Sequence, residues 1–120
     1  MNIVSWNIRG CNSCLKARIL KRKIANEKPS IMMIQETKCS EECLRKLGEK
    51  IWRGSRTIGT DSIRAVRGVG ICWNPRGISL HNFVVTKYSI SAKFHIIGTR
   101  IRGCITNVYG PFQIPKNRPL

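Results

Sequence analysis

Apolar residues change rhythm several times along this chain. Ile3-Val4-Ser5-Trp6-Asn7 is β-rich and is stopped by Gly10. Leu15, Ile19, Leu20 and Ile24 then recur at helical spacing, with Asn12 and Ser13 as candidate N-caps. Pro29 closes that helix, and Ile31-Met32-Met33-Ile34 is an unbroken apolar run, the pattern of a strand buried on both faces. Strand, helix and strand in this order predict a βαβ unit with two parallel strands.

A second helix is predicted from about Ser40, an N-cap followed by Glu41 and Glu42, with Leu44, Leu47 and Ile51 on one side. Residues 53 to 68 are polar and Gly-containing, a long loop or a poorly formed strand. Val69 to Trp73 is strand-like up to the Asn74-Pro75 turn, and Ile78 to Val85, Ile90 to Ile97 and Arg100 to Tyr109 predict a β-meander. The class is α/β, a βαβ start followed by a meander. If the meander joins the parallel pair in one sheet, two helices leave one sheet face uncovered, an apolar patch that would drive aggregation. Residues 110 to 120 hold three prolines and read as a tail leading into a remainder, so residues 1 to 120 are expected to be the N-terminal part of a larger domain.

Composition adds a partner. Hydrophobic residues make up 42% of 120 residues, which argues against a disordered tail, and the length suffices for a core without disulfides. Lys and Arg number 22 against six acidic residues, a formal charge of +16 spread from Arg9 to Arg118. Such a surface attracts polyanions by counterion release, so DNA, and also RNA, is the expected partner, without sequence preference. No signal peptide or membrane-spanning run is present in these residues. Six cysteines without a secretory signal read as reduced thiols, which implies an intracellular location, with the nucleus fitting a DNA partner.

Polar residues at the ends of apolar strands are the usual place for a site in an open α/β sheet. Asn7 and Glu36 end two strands of one βαβ unit, so both face one crevice, where Glu36 could offer a hard oxygen to Mg²⁺ and Asn7 a hydrogen bond. Read from the residues alone, a strand-end glutamate simply in water is the commoner outcome.

Three segments alter that balance. Ile3-Val4-Ser5-Trp6-Asn7-Ile8-Arg9-Gly10, Ile34-Gln35-Glu36-Thr37-Lys38 and Asn107-Val108-Tyr109-Gly110-Pro111 resemble, in order and spacing, successive motifs of the endonuclease/exonuclease/phosphatase superfamily, which includes deoxyribonuclease-I-like and apurinic/apyrimidinic endonucleases. With Gly10-Cys11-Asn12-Ser13 and Trp73-Asn74-Pro75, the chain resembles most the endonuclease of plant LINE-type (non-LTR) retroelements. The resemblance implies the N-terminal part of a four-layer α/β sandwich and Mg²⁺-dependent cleavage of a DNA phosphodiester by activated water. It also implies roles: Glu36 as metal-binding carboxylate, Asn7 orienting phosphate and base, Tyr109 against the scissile phosphate, and Lys38 holding the acidic cluster.

Departures from the family pattern are as informative. Arg9 stands where some relatives carry a second acidic residue, and Phe112 where many carry a phosphate-contacting Asn. The family's later Asp-x-Asn segment, further Asp and Asp-His pair have no counterpart: the single Asp, Asp61, matches none of them, and His81 and His95 alternate with apolar residues as strand histidines do. The expectation is a catalytically incomplete remnant, with the missing half supplied in trans as a further partner; a non-catalytic nucleic-acid-binding module or a relic without function are the alternatives. Cys11-x-x-Cys14 and Cys39-x-x-x-Cys43 have the spacing of zinc ligands and keep a zinc site open, against which the Cys11 pair lacks the turn residues of a zinc knuckle. Cys72, Cys104, Trp6, Trp52 and Trp73 sit in apolar segments and read as core, and Gly68-Val69-Gly70 lacks the third glycine of a dinucleotide fingerprint.

Overall fold

The computed structural model describes residues 1–10, 14–60 and 68–108. β1 (Ile3–Asn7), α1 (Cys14–Glu27) and β2 (Ile31–Gln35) form the expected βαβ unit, with the strands parallel and in register from Ile3 opposite Ile31 to Asn7 opposite Gln35. Lys28, left-handed at φ 47°, donates its N–H to the Ile24 carbonyl at 2.9 Å, and Pro29 bars further helix. The caps expected at Asn12 and Ser13 lie outside the described residues. α2 (Glu41–Ile51) begins where Ser40 Oγ accepts the Cys43 N–H at 3.2 Å, with Glu41 and Glu42 at the positive end of the helix.

The remaining strands correct the one-sheet expectation. β3 (Arg56–Gly59) forms inside the segment expected as loop or poor strand. β4 (Val69–Trp73) runs antiparallel between β2 and β3, giving the order β1-β2-β4-β3. At Asn74-Pro75 the chain leaves this sheet, and β5 (Ile78–Val85), β6 (Ser89–Ile96) and β7 (Arg102–Val108) build a second, antiparallel sheet. The reason is visible in β4, whose five residues are all buried: such a strand needs cover on both faces.

Helices supply one cover, the meander the other. Ile8, Ala17, Leu20, Ile24, Met32, Ile34, Leu44 and Cys72 pack between the helices and the first sheet. Ile31, Val69, Ile71 and Trp73 meet Ile78, Leu80, Ile90, Ala92 and Ile105 between the two sheets. The meander face expected to stay bare is therefore covered by this chain itself, while Lys93, Arg102, Cys104 and Thr106 face outward and are exposed. Exposed apolar side chains are scattered over both parts: on the meander they include Val84 (60%), Val85 (48%) and Val108 (67%). Ile3 is 41% exposed, and Leu15 (63%) and Ile19 (45%), expected at helical spacing with Leu20 and Ile24, flank the buried stripe of Ala17, Leu20 and Ile24. Trp73 and the half-buried Trp6 and Trp52 join the cores as expected.

Three cysteine readings change or sharpen. Cys104, expected in the core, lies on the outward face of β7 and is exposed, because the alternation of that strand buries Ile105 and Asn107 instead. Burial pushes the Cys72 thiol up to about 11, against a smaller opposing effect of its hydrogen bond with Thr57, so it is inert packing. Cys39 is disulfide-bonded, which corrects the expectation of reduced thiols at that position and removes its sulfur as a thiolate ligand for zinc; Cys43 is free and exposed. Cys11 lies outside the described residues.

α2 approaches the sheet closely at Gly70, where an added Cβ would overlap the Cδ2 of Leu44, itself 1% exposed. Gly70→Ala is expected to cost about 1–3 kcal/mol, because a well-packed core leaves Leu44 little room to move. Urea unfolding checks this; a loss within error would mean that α2 shifts freely on the sheet.

Candidate functional site

Parallel pairing places the ends of β1 and β2 side by side, about 4.8 Å apart, with Asn7 opposite Gln35 and Glu36 one residue beyond. The backbone at this rim is unusual. Arg9 (φ 52°), Glu36 (φ 53°) and Lys38 (φ 51°) are all left-handed, a conformation that costs an L-residue roughly 1–2 kcal/mol. Three such residues at one strand-end cluster mark a place where surrounding contacts hold the chain in a fixed shape.

Those contacts can be named. Asn7 Oδ1 accepts the Arg9 N–H at 3.1 Å, the Glu36 carbonyl accepts the Gly10 N–H at 2.7 Å, and the Gln35 carbonyl accepts the Ile8 N–H at 3.1 Å. Lys16 on α1 donates to the Arg9 and Gly10 carbonyls at 2.7 and 3.2 Å, and Thr37 donates its N–H to the Gly68 carbonyl at 3.0 Å. The result presents exposed Asn7, half-buried Glu36 and exposed Lys38 along one rim.

β7 arrives at the same rim. Asn107, 2% exposed, donates from Nδ2 to the Ile34 and Gly70 carbonyls at 3.1 and 2.8 Å and accepts from Gln35 Nε2 at 2.9 Å. Gln35 also donates to Ser5 Oγ at 2.9 Å, so β1, β2, β4 and β7 are tied together beneath Asn7 and Glu36. Tyr109, Asp61 and Phe112 lie outside the described residues. Sequence reasoning quoted Asn107 within a motif and gave it no role; the signal was a polar residue two positions after Ile105, on the inward face of β7. Gln35 was likewise quoted within a motif without a role, and Lys16 was missed for want of any local mark.

Histidines do not reach the rim. His95 donates from Nε2 to the Thr99 carbonyl at 2.8 Å and pairs in register with Arg102. Arg102 lies on β7 about 17 Å along the strand from Asn107. His81 faces Lys93 across the second sheet.

A Mg²⁺ ion takes hard oxygens in near-octahedral geometry, commonly one or two carboxylates with waters and phosphate. Among the described residues the rim offers the Glu36 carboxylate and the Asn7 amide, and no group of three or more His, Cys, Asp or Glu gathers anywhere. That is a partial donor set, and these residues do not by themselves form a metal centre. Beside the rim opens a cavity of about 220 Å³, lined by Trp6, Asn7, Arg9, Lys16 and Ile19 among others, with Lys23 Nζ 4.7 Å above the Trp6 ring. No helix among the described residues is long and apolar enough to cross a membrane.

No protein-family model and no curated protein matches this chain. Solved structures do. The AP endonuclease LMAP from Leishmania major matches with a TM-score of 0.66 and 17% identity over 89% of this chain and 39% of its own. The APE2 catalytic domain from Xenopus laevis matches with a TM-score of 0.65 and 18% identity, over 98% and 47%. An endonuclease/exonuclease/phosphatase from Bacteroides vulgatus matches with a TM-score of 0.66 and 15% identity, over 88% and 50%. The fold is thus that of part of these proteins, a mixed sheet built on a βαβ unit followed by an antiparallel meander, and the chain spans half or less of the length of these three structures.

Proposed function

We propose that this chain supplies one half of a metal-assisted phosphodiesterase site acting on DNA. The observation that carries the reading is the rim of left-handed Arg9, Glu36 and Lys38 beside Asn7, at the strand ends of a fold shared with nucleases. In this reading Glu36 gives one carboxylate to a shared Mg²⁺, which when bound would polarise the phosphate. Asn7 orients the phosphate, Lys38 balances the acidic cluster, and Tyr109 packs against the scissile group. The motif pattern around Gly10, Trp73 and Tyr109 favours a retroelement, LINE-type origin in a plant, with the nucleus as the place of action.

The second half of the site has to come from elsewhere, either a continuation of the chain or a partner carrying it in trans. β1 and β7 are sheet edges among the described residues, joined through Gln35, and both are open to added strands. Without a positioned base, worth about 10²–10⁴ in rate, these 120 residues alone should not nick supercoiled plasmid above background in Mg²⁺ or Mn²⁺. A polypeptide carrying the second half, added in trans, should restore nicking to the native chain, and Glu36→Ala should lower the restored rate by about 100-fold or more. Restored nicking that is indifferent to Glu36→Ala would remove the site assignment. The charge of +16 supports a second reading, a nucleic-acid-binding module without catalysis, which predicts salt-dependent DNA affinity and no nicking in any combination.

A further inference from the structure

Between α1 and α2, on the face of the first sheet turned away from the meander, runs a groove of about 360 Å³ lined by Ala17, Arg18, Lys21, Lys50 and Ile51. Its floor is apolar: Ala17 and Ile51 are 6% and 4% exposed. Its rim is cationic, with Arg18 and Lys21 from one helix and Lys50 from the other, all exposed and with no carboxylate in the lining.

The same helices show what an ordinary solvated surface looks like. Arg45 pairs with Glu41 at 3.1 Å, Lys46 with Glu42 at 3.7 Å, and Lys23 with Glu27 at 3.9 Å, each one helical turn apart. Arg18, Lys21 and Lys50 form no ion pair among the described residues. Three like charges converging over an apolar floor repel one another, and low-dielectric walls focus their potential outward into the groove. A polyanion laid along the groove relieves that repulsion, and phosphates spaced along a strand offer the matching charges.

We propose that the α1–α2 groove is a phosphate-backbone site for nucleic acid, separate from the strand-end rim and placed to hold substrate away from the point of reaction. The proposal rests on reading the chain as a nucleic-acid protein, and it adds a location. Binding there reads phosphates and carries no base specificity.

The test compares two neutralised variants by anisotropy of a labelled duplex between about 50 and 200 mM salt. One carries Arg18→Gln, Lys21→Gln and Lys50→Gln; the other carries Lys87→Gln, Arg100→Gln and Arg102→Gln on the meander, all six positions being exposed. Each removes three positive charges. The groove variant should lower the slope of log K against log salt by about 2–3, and the meander variant by less than about 1. Equal losses in both would show diffuse surface attraction and overturn the groove. Absent or salt-independent binding by the native chain would overturn the groove together with the nucleic-acid reading, whereas intact binding by the groove variant overturns the groove alone. Circular dichroism confirms folding of each variant, and Lys21→Glu and Lys50→Glu, tested singly, repeat the comparison with less perturbation.

Discussion

Asn107→Asp is expected to cost about 3–5 kcal/mol at neutral pH, a large share of the roughly 5–15 kcal/mol that holds a typical domain together. The Asn107 amide is the polar pin between the two sheets, giving both its N–H groups to the Ile34 and Gly70 carbonyls. Aspartate replaces those donors by an oxygen that faces two carbonyl oxygens in a site 2% exposed. One acceptor contact, from Gln35, survives. Burial without sufficient donors raises the carboxyl above its ordinary range in the folded state.

The sign of the pH effect follows from that direction. Between the unfolded and the raised folded value, the folded variant holds a proton that the unfolded chain has released, so its stability falls as pH rises. Near pH 5 the protonated acid also regains one donor and the deficit shrinks. Asn107→Ala, which buries no charge, should lose only about 1–3 kcal/mol, with little pH dependence. Urea unfolding of the three proteins at acid and neutral pH decides the matter; an Asp deficit that stays flat or grows toward acid would show that the two sheets part there and let water in.

How much of this was legible beforehand depended on whether the information was local. The βαβ unit was readable because Pro29 and the unbroken Ile31 to Ile34 run are local signals, and Ser40 announced α2 in the same way. Asn7 and Glu36 followed, since parallel strands end on the same side. The split into two sheets was not readable, because period-2 alternation is the same whichever sheet a strand joins. β4 carried the clue, burial on both faces, but a continuous apolar run names no partner. β3 was hidden because Arg56-Thr57-Ile58-Gly59 has one large apolar residue. Left-handed backbone at Arg9, Glu36 and Lys38 is marked by nothing in those residue types, and the contacts at Arg9 and Glu36 mix local partners, Asn7 and Lys16 for Arg9, with one distant in sequence, Gly10 for Glu36. Asn107 reaches acceptors 37 and 73 residues away, a relation no spacing rule detects.

Leu15→Lys with Ile19→Lys is expected to abolish rescue by the second half while making the isolated chain more soluble. Both residues are good helix positions and are 63% and 45% exposed, so lysine there leaves the core of Ala17, Leu20 and Ile24 untouched. With the Trp6 cavity, which Ile19 also lines, they form an apolar strip on the helix side of β1, a strand whose outer edge is unpaired among the described residues. An edge strand next to an apolar strip is a template for adding another chain, and in isolation it promotes association of copies. If the second half seats there, each lysine buries an ammonium where a side chain worth about 1.5–3 kcal/mol of apolar burial was fitted. Association should weaken by roughly 100-fold or more, since about 1.4 kcal/mol is a factor of ten. The measurement is the nicking rate as a function of the concentration of the second half, with sedimentation of the isolated chain beside it. Unchanged thermal stability, less self-association and a large rise in the concentration needed for rescue together support the docking surface. Rescue at the native concentration would place the second half on another face, and the β1 edge would then be only an aggregation hazard.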